Sequence, residues 1–156
     1  MADALKVRFD DPQNGWMAMT IRSDETIVTL LVSYVLYNTL DELVDGLHAL
    51  TTGDNYRSVR IFEEPTTCEM RFRRENGTIR FELCRFSSFS RVASRKPGQM
   101  LFEIEGTLAE VCLPFWRALR NLQTRFSEDE FQLRWRRPFP GSGMQKLRAN
   151  LSRLLR

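Results

Sequence analysis

The clearest pattern along the chain is a strict two-residue alternation. Cys68, Met70 and Phe72 alternate with Glu69, Arg71 and Arg73, and Ile79, Phe81 and Leu83 alternate with Arg80 and Glu82. Asn76-Gly77, the preferred pair for a two-residue hairpin turn, stands between the two runs. With that pair at the turn, Phe72 falls opposite Phe81, Met70 opposite Leu83 and Arg71 opposite Glu82. A slip of one residue would bury the arginines, so the register is well specified.

Earlier in the chain, Leu5 to Phe9 alternates apolar and charged residues and reads as a short strand. Asp10 to Gly15 reads as a turn, and Trp16 to Arg22 as a second strand. Thr26 to Tyr34 reads as a third, rich in Ile, Val and Leu. Its lack of polar alternation predicts a central strand covered on both faces. Ser58 to Glu63 and Gln99 to Glu105 are further strands. Ser87 to Gly98, with four Ser, Pro97 and Gly98, reads as a loop.

Helices follow a different period. Thr39-Leu40-Asp41-Glu42 has the form of a capping box, and Leu40, Leu43, Val44, Leu47 and Leu50 form one apolar stripe ending near Gly53. Thr107-Leu108-Ala109-Glu110 repeats the box ahead of Val111, Cys112, Phe115, Leu119, Leu122 and Phe126. Pro114 either kinks this helix or marks its regular start. Phe131 to Trp135 carries no decisive pattern. After Pro138, Pro140, Gly141 and Gly143, the residues Met144, Leu147, Leu151 and Leu154 make an amphipathic helix over 141–156.

These elements predict one α+β domain over residues 1–156: a mainly antiparallel, twisted sheet of about six to seven strands, with two or three helices packed on one face. A chain of 156 residues fits one domain. Hydrophobic content of 42% and charged content of 28% are ordinary for a globular protein, and eleven Phe favour an aromatic core.

Charge adds a second feature. Phe131 to Arg156 holds seven basic residues and no Asp or Glu, whereas the first 130 residues hold all 20 acidic residues and are net acidic. Such a segment seeks an acidic surface, its own or a partner's. In one reading Arg134, Arg136 and Arg137 beside Trp135, with Lys146 and Arg148, bind the phosphates of a nucleic acid. In the other, Leu147 and Leu151 dock the final helix on the domain or on a second subunit. The second is favoured, because a nucleic-acid site normally spreads over a fold and this body is acidic. Arg134, Trp135, Arg136, Arg137, Lys146, Leu147, Arg148 and Leu151 are therefore the candidate partner-binding residues.

Candidate chemistry is sparse. His48 is the only histidine and sits at the edge of the first helix's apolar stripe, the place of a boundary residue. Cys68 and Cys112 point to core faces. Cys84 faces away from the Phe81 side and is the best placed of the three to react. Glu63 and Glu64 point to opposite faces of a strand, and Asp10-Asp11 lies in a turn. The sequence has no phosphate-binding glycine loop, nucleophile elbow or zinc-protease motif. No catalytic residue, cofactor or metal is assigned; an enzyme with no recognisable motif, its site built from Asp, Glu, Arg and Tyr, stays an alternative to protein or nucleic-acid binding. An odd cysteine count, no apolar leader and no 18-residue apolar run predict a cytoplasmic protein without a transmembrane segment.

The order of certain short elements carries a resemblance. Gly15-Trp16 opens a strand, an Ile/Val/Leu strand and a Leu-rich helix follow, then come Glu64-Pro65, Trp135, Phe139-Pro140 and a Leu-rich end. This order resembles a set of small uncharacterised bacterial proteins, some of which are similar to the immunity partners of polymorphic toxins. The resemblance implies a non-enzymatic cytoplasmic protein that acts by binding another protein; the amphipathic end of the chain also suits a self-associating module.

Overall fold

The computed structural model describes residues 4–86 and 98–154. The loop expected over Ser87 to Gly98 lies outside the described residues except for Gly98. Seven antiparallel strands and four helices are present among the described residues. In chain order they are β1 (Lys6–Phe9), β2 (Trp16–Arg22), β3 (Ile27–Ser33), α1 (Thr39–Thr51), β4 (Tyr56–Phe62), β5 (Thr67–Glu75), β6 (Thr78–Phe86), β7 (Gln99–Gly106), α2 (Leu108–Arg125), α3 (Glu128–Trp135) and α4 (Gly141–Leu154). The class is α+β, as the pattern of elements indicates.

The strands form two sheets rather than one: β1-β2-β3 and β4-β5-β6-β7. Helix α1 intervenes between β3 and β4, so the chain leaves the first sheet before it starts the second. The third strand is consequently an edge strand and not a central one. Its inward Leu30 and Val32 are buried, while Ile27, Thr29 and Leu31 face outward and are exposed.

The mid-chain hairpin forms in the register that its alternation requires. Phe72 pairs with Phe81, Met70 with Leu83 and Arg71 with Glu82. Asn76 and Gly77 take φ of 50° and 83°, the positive pair that a tight hairpin turn needs. The inward rings then meet α2. Phe115 lies 5.4 Å from Phe72 and 5.2 Å from Phe81, and Phe81 lies 6.0 Å from Phe102. Each such ring pair adds about 0.5–1.5 kcal/mol beyond burial. Val111, Cys112, Leu119 and Leu122 complete the buried face of α2.

The two Thr-x-x-Glu motifs behave differently. At α2 the capping box is complete: Thr107 Oγ1 accepts from the Glu110 amide at 3.1 Å, and Glu110 Oε1 accepts from the Thr107 amide at 2.8 Å. At α1 it does not form, and the N-cap residue is Asn38 with no side-chain cap bond. Thr39 instead donates to the Arg60 carbonyl at 2.8 Å, and Glu42 accepts from the Arg60 amide and guanidinium at 2.7–3.1 Å. A neighbouring strand has taken both halves of the box, and they fasten α1 to β4. Helix α2 opens at Leu108 and runs past Pro114, which lies inside it and forgoes one backbone bond.

Phe131 to Trp135 belongs to α3, capped by Ser127 Oγ, which accepts from the Glu130 amide at 3.1 Å. Glu128, Asp129 and Glu130 in its first turn and Arg134 in its last complement the helix dipole. Helix α4 docks on α1 of its own chain, burying Met144, Leu147 and Leu151. Asn150 Nδ2 donates to Thr51 Oγ1 at 3.1 Å and ties the two helices.

Candidate functional site

The basic segment that marks the sequence divides in the fold: Arg134 and Arg137 reach the β1–β2 turn and the residue after β3, while α4 packs on α1. Arg134 donates to Glu130 at 2.8 Å and to the Pro12 carbonyl at 3.4 Å. Arg137 donates from Nε to the Tyr34 carbonyl at 2.7 Å. Arg136 caps α3 in the left-handed conformation, and its guanidinium lies 5.5 Å from the Tyr34 ring centroid. Upstream, Arg125 reaches Asp11 and the Phe9 carbonyl. The segment thus closes the molecule over the β1–β2 turn and the end of β3.

The other candidate residues divide by burial. Trp135 is fully buried, and Leu147 and Leu151 are buried against α1. Lys146 and Arg148 are exposed on the opposite side of α4, as is Arg136 at the end of α3. The eight residues do not converge on a common hollow among the described residues.

The three thiols are all buried. Burial pushes the Cys112 thiol up to about 12. Cys68 is pushed up to about 12 by burial and by the Glu63 carboxylate that it contacts. Cys84, expected to be the best placed to react, is also buried and its pKa is raised by desolvation. It does lie on the face away from Phe81, but that face is covered there, and its Sγ sits 3.9 Å from Met100 Sδ. His48 is half-buried on α1, the place of a boundary residue.

The outer faces of the two sheets differ in electrostatics. On the four-stranded sheet, Arg73 and Arg80 lie directly opposite each other. Like charges in that position repel, but carboxylates bracket both. Arg73 stands 3.6 Å from Glu82 and 3.8 Å from Glu75. Arg80 stands 3.3 Å from Glu82 and 2.7 Å from Glu103. Arg71 donates to the buried Glu69 at 2.8 Å. This face satisfies its own charges.

The outer face of β1-β2-β3 does not. Pairing sets its side chains in rows: Lys6, Arg22 and Ile27; Arg8, Thr20 and Thr29; Ala18 and Leu31; Trp16 and Ser33. Lys6 and Arg22 again face each other across strands, yet among the described residues neither is in an ion pair. Arg8 has a loose partner in Asp10 at 3.3 Å. Arg117 of α2 joins them around a groove of about 630 Å³ that Lys6, Arg8, Arg22, Thr20, Ile27 and Asn121 also line. On the β3 side Ile27 is 66% and Leu31 53% exposed, and Val35 and Leu36 just beyond are exposed too. A cationic groove therefore adjoins an apolar row.

Sequence reasoning did not single out these residues. The signal was present in the short connection at Ser23 to Thr26. There the Ser23 amide donates to the Thr26 carbonyl at 2.8 Å, which pairs Arg22 with Ile27 and puts Leu31 on the same side. Among the described residues no helix is long and apolar enough to cross a membrane. Compared with known proteins, the chain matches no family model, no curated protein and no solved structure.

Proposed function

We propose that this chain is a non-catalytic protein-binding domain of immunity-like type, working in the cytoplasm by covering a partner protein with the outer face of its β1-β2-β3 sheet. One observation carries the reading. Ile27 and Leu31 stand 66% and 53% exposed on an edge strand, and Ile27 lies directly across from Arg22, which like Lys6 is in no ion pair among the described residues. Large exposed apolar side chains set among polar groups are a usual mark of an interaction site. The buried thiols, and an order of short elements that resembles immunity-type proteins, favour binding over catalysis. Nucleic-acid binding through the C-terminal segment is disfavoured, because Arg134 and Arg137 are engaged by the chain's own carbonyls.

A photo-crosslinking residue at position 31, with position 133 of α3 as the control, tests this in the producing cell. The expected result is one discrete protein adduct from position 31 and none from 133. The captured protein, once purified, should bind the wild-type chain and not an Ile27→Ser/Leu31→Ser variant. An adduct of twice the chain's own mass would identify the partner as a second copy. No adduct at position 31, or a captured protein indifferent to the double substitution, overturns the reading.

A further inference from the structure

The cationic groove narrows the chemistry of that partner, and the inference rests on the protein-binding reading. We infer that the face receives an acidic, extended segment of the partner, with carboxylates at alternate positions against Lys6, Arg8, Arg22 and Arg117 and aliphatic side chains against Ile27 and Leu31. Three features of the face point this way.

The first is the opposed pair. Lys6 and Arg22 sit directly across the β1–β2 ladder, an arrangement that costs stability unless an anion lies between. The second sheet of the same molecule supplies the contrast, since its opposed Arg73 and Arg80 are held by Glu75, Glu82 and Glu103. In the first sheet the counter-charge is missing from the described residues. Among the described residues Asp10 is in an ion pair with Arg8 alone, while Asp24 and Glu25 in the β2–β3 connection pair with neither Lys6 nor Arg22. Four cations against these three carboxylates leave the face positive.

The second feature is spacing. Lys6 and Arg8 are two residues apart on one strand, so their side chains repeat at about 6.8 Å. An extended segment with carboxylates at every second residue has the same repeat. Arg117 and Asn121 reach the groove from α2 and provide a second wall.

The third is the neighbouring apolar row. Ile27 lines the groove itself, directly across from Arg22, and Leu31 continues the row along β3. Aliphatic side chains beside cations suit a segment that mixes carboxylates with Val or Leu. A single-stranded nucleic acid gains much of its grip from rings on which its bases stack, and Phe9, the ring in this groove, is only 3% exposed.

The test uses the full chain and three fluorescent probes: an alternating Glu-Val/Glu-Leu peptide, its Lys counterpart, and a single-stranded oligothymidine. Binding of the acidic peptide is expected at about 50 mM NaCl and should weaken at least about tenfold at about 500 mM. Lys6→Glu/Arg22→Glu should lose at least about tenfold, and Arg117→Glu should weaken binding as well. Arg153→Glu on α4 should leave it unchanged. All four positions are exposed, and matched melting curves report that each variant is folded. The inference is overturned if the acidic peptide fails to bind at low salt. It is equally overturned if the Lys peptide or the oligothymidine binds as well, or if Arg153→Glu is the change that matters. If a protein adduct forms at position 31 while the acidic peptide fails, the partner is a protein and only its acidic character is wrong.

Discussion

Gly15 presents its bare Cα to the ring of Tyr34. A Cβ at position 15 would lie 2.2 Å from Tyr34 Cδ1, and the backbone there has φ of +80°. The Gly15 carbonyl accepts from the Tyr34 amide, and the Gly15 amide donates to the Arg134 carbonyl, each at 2.9 Å. One residue therefore joins the β1–β2 turn, the end of β3 and the end of α3. Gly15→Ala adds both a strained backbone and a clash with an aromatic ring. It is expected to cost about 2–4 kcal/mol in a denaturant titration. Gly77→Ala, where the turn is open to solvent, should cost only the positive-φ part, about 1–2 kcal/mol.

The docked final helix should matter to the whole domain. Leu147 is fully buried against α1. Leu147→Ala is expected to lower stability by about 2–5 kcal/mol, whereas Arg148→Ala one position on should change it by less than about 0.5 kcal/mol. Gly143 tests the same contact from the other side, since a Cβ there would sit 2.9 Å from Val44 Cγ1. Val44 is β-branched in a helix and cannot rotate away freely. Gly143→Val should overpack this junction and cost about 1–3 kcal/mol.

The thiols should be silent in the folded state. Cys68 and Cys112 are pushed up to about 12, and Cys84 is raised as well, all chiefly by burial. At pH 8 almost none of the Cys68 or Cys112 thiol is thiolate, and all three thiols are buried. A thiol reagent should therefore label the native chain slowly and label all three cysteines at once after denaturation. Fast native labelling of Cys84 would contradict the packing around it.

Glu63 predicts a pH dependence. Burial alone would raise its pKa, but donation by Arg85 at 2.9 Å, with Cys68 and Thr66, outweighs burial and holds the carboxyl below the usual carboxylate range. A carboxyl with a depressed folded pKa stabilises the fold above its unfolded value of about 4.3 and loses that contribution as pH falls through the folded one. Glu63→Gln should thus lower the melting temperature at pH 7. The gap from wild type should shrink as pH drops below about 4, read by calorimetry.

What was legible in the sequence was what neighbouring residues decide. The hairpin register of Phe72 with Phe81 follows from alternation on both sides of Asn76-Gly77, and the cap at Thr107 from a box whose partners are three residues apart. What was not legible depends on distant partners. Thr39 and Glu42 carry the same box, but Arg60 claims both side chains. The division into two sheets depends on where the chain goes after α1. The arginines at 134 and 137 announce charge, yet nothing local shows that the carbonyls of Pro12 and Tyr34 will take them. The cationic, apolar face was hidden for the same reason, because it appears only once three strands are laid side by side.

The closing bonds of this molecule join residues far apart in the chain: Arg125 to Asp11 spans 114 positions, Arg137 to Tyr34 spans 103, and Asn150 to Thr51 spans 99. Bringing such distant stretches together costs entropy before any of these bonds can form. The β5–β6 hairpin can assemble early on its own, while the β1–β2 turn and the end of β3 are fastened only when α2 and α3 arrive, and α1 only when α4 does. Refolding should therefore be slow, on the order of milliseconds to seconds, and until its last step the aliphatic side chains of β3 stand open without their finished surroundings.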